Sequence, residues 1–195
     1  MSTKSSRIAT VLKSLALVSA LAMAAGAPSL AYAEDTVMVG GAAMYPSKTI
    51  VQNALNSKDH TTLVAAVKAA GLVETLSSAG PFTVFAPVNA AFDALPAGTV
   101  DTLLKPENKA MLTGILTYHV VAGKMSADDL AAKAKEMGGK VELKTVAGGT
   151  ITVEPDGNGG WEVVDEKGGK AKITIANVFQ SNGVIHVIDK VLLPK

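Results

Sequence analysis

Three histidines, His60, His119 and His186, are the side chains of this sequence best suited to proton transfer or metal ligation. No two of them stand at HxH or HxxxH spacing and no HExxH occurs, so a zinc site would lack the short-range ligand pair that such sites commonly use. Asp189 follows His186 by three residues, which on a strand puts the two on opposite faces. His186 therefore reads as a core histidine held by a hydrogen bond, since buried polar groups are nearly always paired. His119, set between an apolar helix end and an apolar strand, reads the same way, and His60 reads as exposed near the start of a helix.

The other candidate chemistry is weaker still. Asp156-Gly157-Asn158-Gly159-Gly160 begins like a calcium loop, but Lys167 stands at the twelfth position where a bidentate glutamate is needed, so a tight hairpin turn is the better reading. No GxSxG elbow, GxGxxG or GxxxxGK[ST] motif is present. With no cysteine, thiol nucleophiles, thiolate zinc sites and a lipid-modified N-terminal cysteine are excluded. Trp161, beside a glycine turn, is best explained as sealing a sheet edge, and Lys133, Lys135 and Lys140 as a solvated face. Neither catalysis nor a cofactor is expected.

The elements that must position these residues are organised by the closing run Asn182 to Lys195. It opens on a turn pair, alternates Val184, His186, Ile188, Lys190, Leu192 against Ile185, Val187, Asp189, Val191, Leu193, and stops at Pro194. Neither face is polar throughout, so a strand over 183–193 must be covered on both sides. Upstream, Ser47 is placed to cap a helix running to about Asn56, and a second helix follows Asp59 and ends at Gly71. A short helical turn over 72–76, a strand over 82–86 between Pro81 and Pro87, and a short helix capped by Asn89 come next. Pro106 and Glu107 start a longer helix that leads into a strand at Tyr118-His119-Val120-Val121. Ser126 and Asp129 form a capping box ahead of an Ala-rich helix. From Val141 the period becomes two, and Gly-rich turns separate short antiparallel strands. Helices first and strands later, with one strand inserted early, predict an α+β fold.

The N-terminus carries a basic region (Lys4, Arg7, Lys13), a short apolar stretch from Leu15 to Ala27 and an Ala31-Tyr32-Ala33 cleavage signature, so residues 1–33 are expected to be a cleaved secretory signal, with a periplasmic or extracellular product. Their removal turns 18 basic and 17 acidic residues into 15 and 17 and leaves no arginine. That balance argues against nucleic acid. No later run approaches the roughly 20 apolar residues of a membrane helix. Residues 34–46 read as a short lead and 47–195 as one domain, of a size to bury a sizeable core.

Three segments carry a family resemblance. Phe82-Thr83-Val84-Phe85-Ala86-Pro87-Val88-Asn89-Ala90-Ala91-Phe92 resembles the first fasciclin homology motif, Tyr118-His119 the central Tyr-His pair, and Asn182-Gly183-Val184-Ile185-His186-Val187-Ile188-Asp189 the second motif. They occur in order over 49–194, and the chain most resembles secreted, single-domain bacterial fasciclin-like proteins. The resemblance implies a β-sandwich or wedge of short, mainly antiparallel strands flanked by helices, with Asn89, His186 and Asp189 in the structural core motif. It implies adhesion to a protein or polysaccharide of a cell surface or matrix, without turnover or cofactor, and leaves room for weak self-association. In some animal members an Asp-Ile pair before the second motif and the Tyr-His region are implicated in integrin binding. Here Asn177-Val178 stands where that pair would be, so the acidic residue is absent. Tyr118, His119, Asn177, Val178 and Phe179 are the interaction candidates. The alternative is an envelope small-ligand, polysaccharide-binding or stress protein using the same domain, against which a core without a sizeable apolar cavity would count.

Overall fold

A computed structural model describes residues 36–195, and the secretory segment read at 1–33 lies outside them. The chain begins with a hairpin, β1 (Val37–Val39) and β2 (Ala42–Met44), turned at Gly40-Gly41. The short lead expected here is thus an ordered element, and it buries Val39 and Met44 in the core.

Helix α1 (Ile50–Ala54) is capped by Thr49, two residues beyond the expected Ser47. Thr49 Oγ1 accepts from the Gln52 N–H, and Gln52 Oε1 accepts from the Thr49 N–H. Ser47 has Ile50 at its third position, which cannot reciprocate. After a 3₁₀ turn at Lys58–His60, α2 (Thr61–Ala70) ends on the left-handed Gly71 and is followed by α3 (Val73–Ser77). Strand β3 (Phe82–Pro87) leads to α4 (Asn89–Asp93), α5 (Thr99–Leu103) and, after a Pro106–Asn108 turn, α6 (Lys109–Tyr118).

Tyr118 is the last residue of α6, not the first of a strand, and β4 is confined to Val120–Ala122. The helix persists because its apolar face, with Leu112, Ile115 and Leu116, is buried in the core that α2 shares. Helix α7 (Ala127–Glu136) carries the expected Ser126–Asp129 capping box. The remaining strands are β5 (Val141–Lys144), β6 (Thr150–Pro155), β7 (Trp161–Val164), β8 (Lys170–Gln180) and β9 (Gly183–Ile188).

Seven strands form one sheet in the order β4-β3-β9-β8-β7-β6-β5. All neighbours are antiparallel except β3 and β9, which run parallel in the register Phe82↔Gly183 to Pro87↔Ile188. The sheet curls until its ends meet: Val121 bridges Thr145, and the Val146 N–H donates to the Val120 carbonyl at 2.8 Å. This nearly closed α+β wedge has two apolar cores. One lies under the helices and includes Ile185 and Val187. The other fills the curled sheet and includes Phe85, Ile151, Val153, Val163, Ile188 and Leu192.

Every residue of β9 is buried, as a strand with two apolar faces requires. The strand stops at Ile188 instead of 193, where its partner reaches Pro87, which has no N–H to continue a ladder. The last residues leave the sheet but are laced to it. The N–H groups of Leu192 and Leu193 donate to His119 Nε2 at 2.9 Å and Asp165 Oδ2 at 3.0 Å.

Candidate functional site

His186 is fully buried on β9, its ring stacked on that of its register partner Phe85, with centroids 5.6 Å apart and 29° between planes. The Met125 carbonyl lies 2.9 Å from Nε2 and the Asn177 N–H points at Nδ1 from 3.4 Å. A carbonyl can only accept and an amide can only donate, so the neutral ring carries its proton on Nε2. Burial lowers its pKa, opposed by the Met125 carbonyl. Asp189 is half-buried at the strand end, where Oδ1 accepts from the Lys172 N–H at 2.7 Å. His186 and Asp189 thus hold separate backbone groups and form no acid-base pair.

His119 and Tyr118 are buried as well. His119 Nδ1 faces the Ile115 carbonyl at 2.8 Å while Nε2 accepts from Leu192, so this ring carries its proton on Nδ1, the opposite tautomer to His186. Burial pushes its pKa down to about 4, against the raising influence of the Ile115 carbonyl and the Asp165 carboxylate. The Tyr118 hydroxyl donates to the Thr150 carbonyl at 2.8 Å and accepts from the Glu166 N–H at 3.0 Å, and burial raises its pKa. Both side chains tie the end of α6 to the sheet and the C-terminal segment.

Of the three candidates on β8, one faces outward. Val178 is buried. Asn177 sits at a bulge with φ of 59°, and its Oδ1 accepts from the Ala127 N–H at 2.7 Å, at the start of α7. Phe179 is 38 % exposed, with the Lys124 ammonium 5.0 Å from its ring centroid. So of the interaction candidates Tyr118, His119 and Val178 are buried, Asn177 is bonded to the start of α7, and Phe179 is exposed.

Several assignments change with the structure. Asn89 does not cap its own helix. Its Oδ1 accepts from the Thr62 N–H at 3.0 Å and its Nδ2 donates to the Lys58 carbonyl at 2.8 Å, so it caps α2 from across the fold. Asn182, read only as part of a turn, is a buried clasp. Its Oδ1 accepts from the Ile50 N–H, and its Nδ2 donates to the Leu76 and Ser78 carbonyls. His60, expected at the surface, is only 4 % exposed. The 3₁₀ turn points its ring inward, where Nδ1 lies 2.8 Å from the buried Ser57 hydroxyl. Burial lowers its pKa, with the Ala86 carbonyl and Asp59 acting in opposition.

Among the described residues no group of three or more His, Cys, Asp or Glu side chains is placed to hold a metal ion, and no helix is long and apolar enough to cross a membrane.

The three recognised segments are the structural joints of this wedge, and the chain is similar to known proteins across them. The family model described as "Fasciclin domain" matches residues 58–194. Protein sll1483 of Synechocystis sp. is 47 % identical over 191 residues, 95 % of this chain and 98 % of that one. Immunogenic protein MPB70 of Mycobacterium bovis is 39 % identical over 146 residues, 72 % of this chain and 66 % of that one. The fold is shared with a FAS1 domain pair from the insect cell adhesion molecule Fasciclin I, at a TM-score of 0.69 and 22 % identity, over 76 % of this chain and 52 % of that one. With the parallel β3–β9 pair, the Tyr-His joint and the curled sheet in place, the chain belongs to the fasciclin domain family.

Proposed function

We propose that the protein is an exported, non-catalytic adhesion module that binds a protein or polysaccharide of a cell surface or matrix through the outer end of β8. The observation that carries this reading is Phe179, exposed beside Lys124 while His119 and His186 of the recognised motifs are locked in the core. An aromatic face with an ammonium beside it suits sugar rings or acidic protein segments, by stacking and charge together. The likeness to a solved cell adhesion molecule points the same way. Export rests on the pattern of residues 1–33.

The test is retention of the purified protein on matrix protein, polysaccharide and the producing cells, compared with Phe179→Ala. Wild-type retention that falls at least tenfold in the variant, at unchanged melting temperature, is the expected result. Absence of retention on all three surfaces, or equal retention of the two proteins, would refute it.

A further inference from the structure

A cavity of about 50 Å³ lies under the N-terminal hairpin, with Val39 and Met44 on one side and Ile50, Leu63 and Val67 of α1 and α2 around it. Half-buried Val51, Ala54 and Val64 also line it, which puts its outer end between the two helices. Its walls are mostly apolar, with Ser57, His60, Lys68 and His119 the polar residues among them. His60 lines the cavity, and its buried Nε2 is the only side-chain polar atom among the described residues that is enclosed without a well-directed hydrogen bond: the Ala86 carbonyl lies near enough to raise the ring's pKa but does not pair with it. Such an atom costs stability unless something fills the position opposite it.

The hairpin closes this space by a specific contact. Gly40 lies against the Ser57–Asp59 segment so closely that a Cβ there would stand 2.4 Å from Ser57 Oγ and 2.7 Å from the Asp59 nitrogen. The Lys58 N–H donates to the Gly40 carbonyl at 3.2 Å. Residue 40 therefore has to be glycine, both for that approach and for its φ of +57°. The Gly40 contact seats the hairpin against the 3₁₀ turn that carries His60, and so roofs the cavity.

We propose that this cavity is a binding site for an apolar molecule carrying a single hydroxyl or carbonyl oxygen at its buried end, which hydrogen-bonds to His60 Nε2. A lone water fits the site less well, since an ordered buried water typically makes about three hydrogen bonds and the walls offer one unpaired polar atom. An apolar molecule with one oxygen matches that inventory, one hydrogen bond within hydrocarbon surroundings. The volume exceeds the roughly 10–15 Å³ that a water needs, and accommodates the end of a chain whose remainder leaves between α1 and α2. Ser57 settles what the oxygen must do. If its hydroxyl donates to Nδ1, Nε2 carries the proton and takes a carbonyl or a hydroxyl; if it accepts, Nε2 takes a hydroxyl alone. The site lies among the helices, apart from Phe179, so it stands or falls independently of the adhesion surface.

The probes are hexan-1-ol and hexane, followed by methyl NMR of Val39, Ile50 and Val64 on the full protein. Both should give saturable shifts in the wild type. His60→Leu, apolar and of similar size, should weaken hexan-1-ol about tenfold relative to hexane, as loss of one hydrogen bond requires. Ala54→Phe, which fills the cavity from α1, should abolish both responses while the protein remains folded. The absence of saturable shifts in the wild type, or an alcohol-to-alkane ratio that His60→Leu leaves unchanged, would overturn the assignment and leave Nε2 to ordered water.

Discussion

Acid should unlock the joint at His119. In the folded protein its Nε2 must remain an acceptor for the Leu192 N–H, whereas in the unfolded chain it is free to take a proton near the ordinary value of 6.5. A histidine whose pKa is lowered on folding leaves stability intact above its unfolded value and removes it progressively as the pH falls toward the folded one. With 6.5 unfolded and about 4 folded, linkage removes about 2 kcal/mol between pH 7 and pH 5, and about 3 kcal/mol by pH 4. His60 and His186 are shifted in the same direction and add to the loss. The lowered carboxylates Asp129, Glu154, Asp156 and Glu166 act below their ordinary values of 3.8 to 4.5, so a comparison that ends at pH 5 excludes most of their contribution. The assay is urea unfolding at pH 7, 6 and 5 for wild type and His119→Gln, whose amide can accept from Leu192 but does not titrate. The variant should begin less stable and lose about 2 kcal/mol less than the wild type across that range. Equal losses in the two proteins, or a His119 ring that titrates near 6.5 in the folded state by NMR, would refute the reasoning.

Two further substitutions test whether the recognised motifs serve structure. Tyr118→Phe removes a hydroxyl that pairs with Thr150 and Glu166 and should cost about 1–3 kcal/mol in chemical unfolding, with cell or matrix retention unchanged once the protein is folded. Gly183→Ala places a Cβ 2.1 Å from the Phe82 carbonyl oxygen, a backbone atom that cannot move without parting β3 from β9, so the expected loss is more than about 3 kcal/mol, seen as insoluble expression or a collapsed melting transition.

What could be read along the chain was what local chemistry determines. The Ser126–Asp129 box and the left-handed end of α2 at Gly71 are settled within a few residues of themselves, and both stand where their residue types indicate. The alternating runs from Val141 onward become a meander because each hairpin is closed by its own turn. Misreadings arose where the deciding partner is distant in sequence. Asn89 looks like a cap for the helix it begins, yet α2 presents an unsatisfied N–H to it from across the fold. Tyr118 and His119 have the side chains of a strand, but burial of Leu112, Ile115 and Leu116 in the core that α2 shares keeps the helix running to Tyr118. His60 follows a lysine and an aspartate, and nothing nearby shows that the hairpin at 37–44 will cover it. For the same reason Val178 and Phe179, adjacent on one strand, could not be separated into an inward and an outward residue until the bulges of β8 were known.

The positions of the joints bear on where function can reside in this fold. β3 and β9, which carry the first and second motifs, lie side by side in parallel register, and β3 on its other edge pairs with β4, the strand that leaves the Tyr-His pair. His119 and His186 hold opposite tautomers because one must receive an amide on Nε2 and the other must give a proton from it. A ring fixed in one tautomer by two backbone groups cannot also exchange protons with a substrate without breaking the joint. The same bonds that make these segments recognisable thus withdraw them from chemistry. Outside these joints, the exposed Phe179 and the space the hairpin covers are the two places proposed above to meet a partner or a ligand. The hairpin lies ahead of residue 58, where the family match begins, yet Val39 and Met44 complete the core, and Gly40 sits against the turn that points His60 inward. Ligand preference should therefore change with residues 37–44 even where the three motifs are identical.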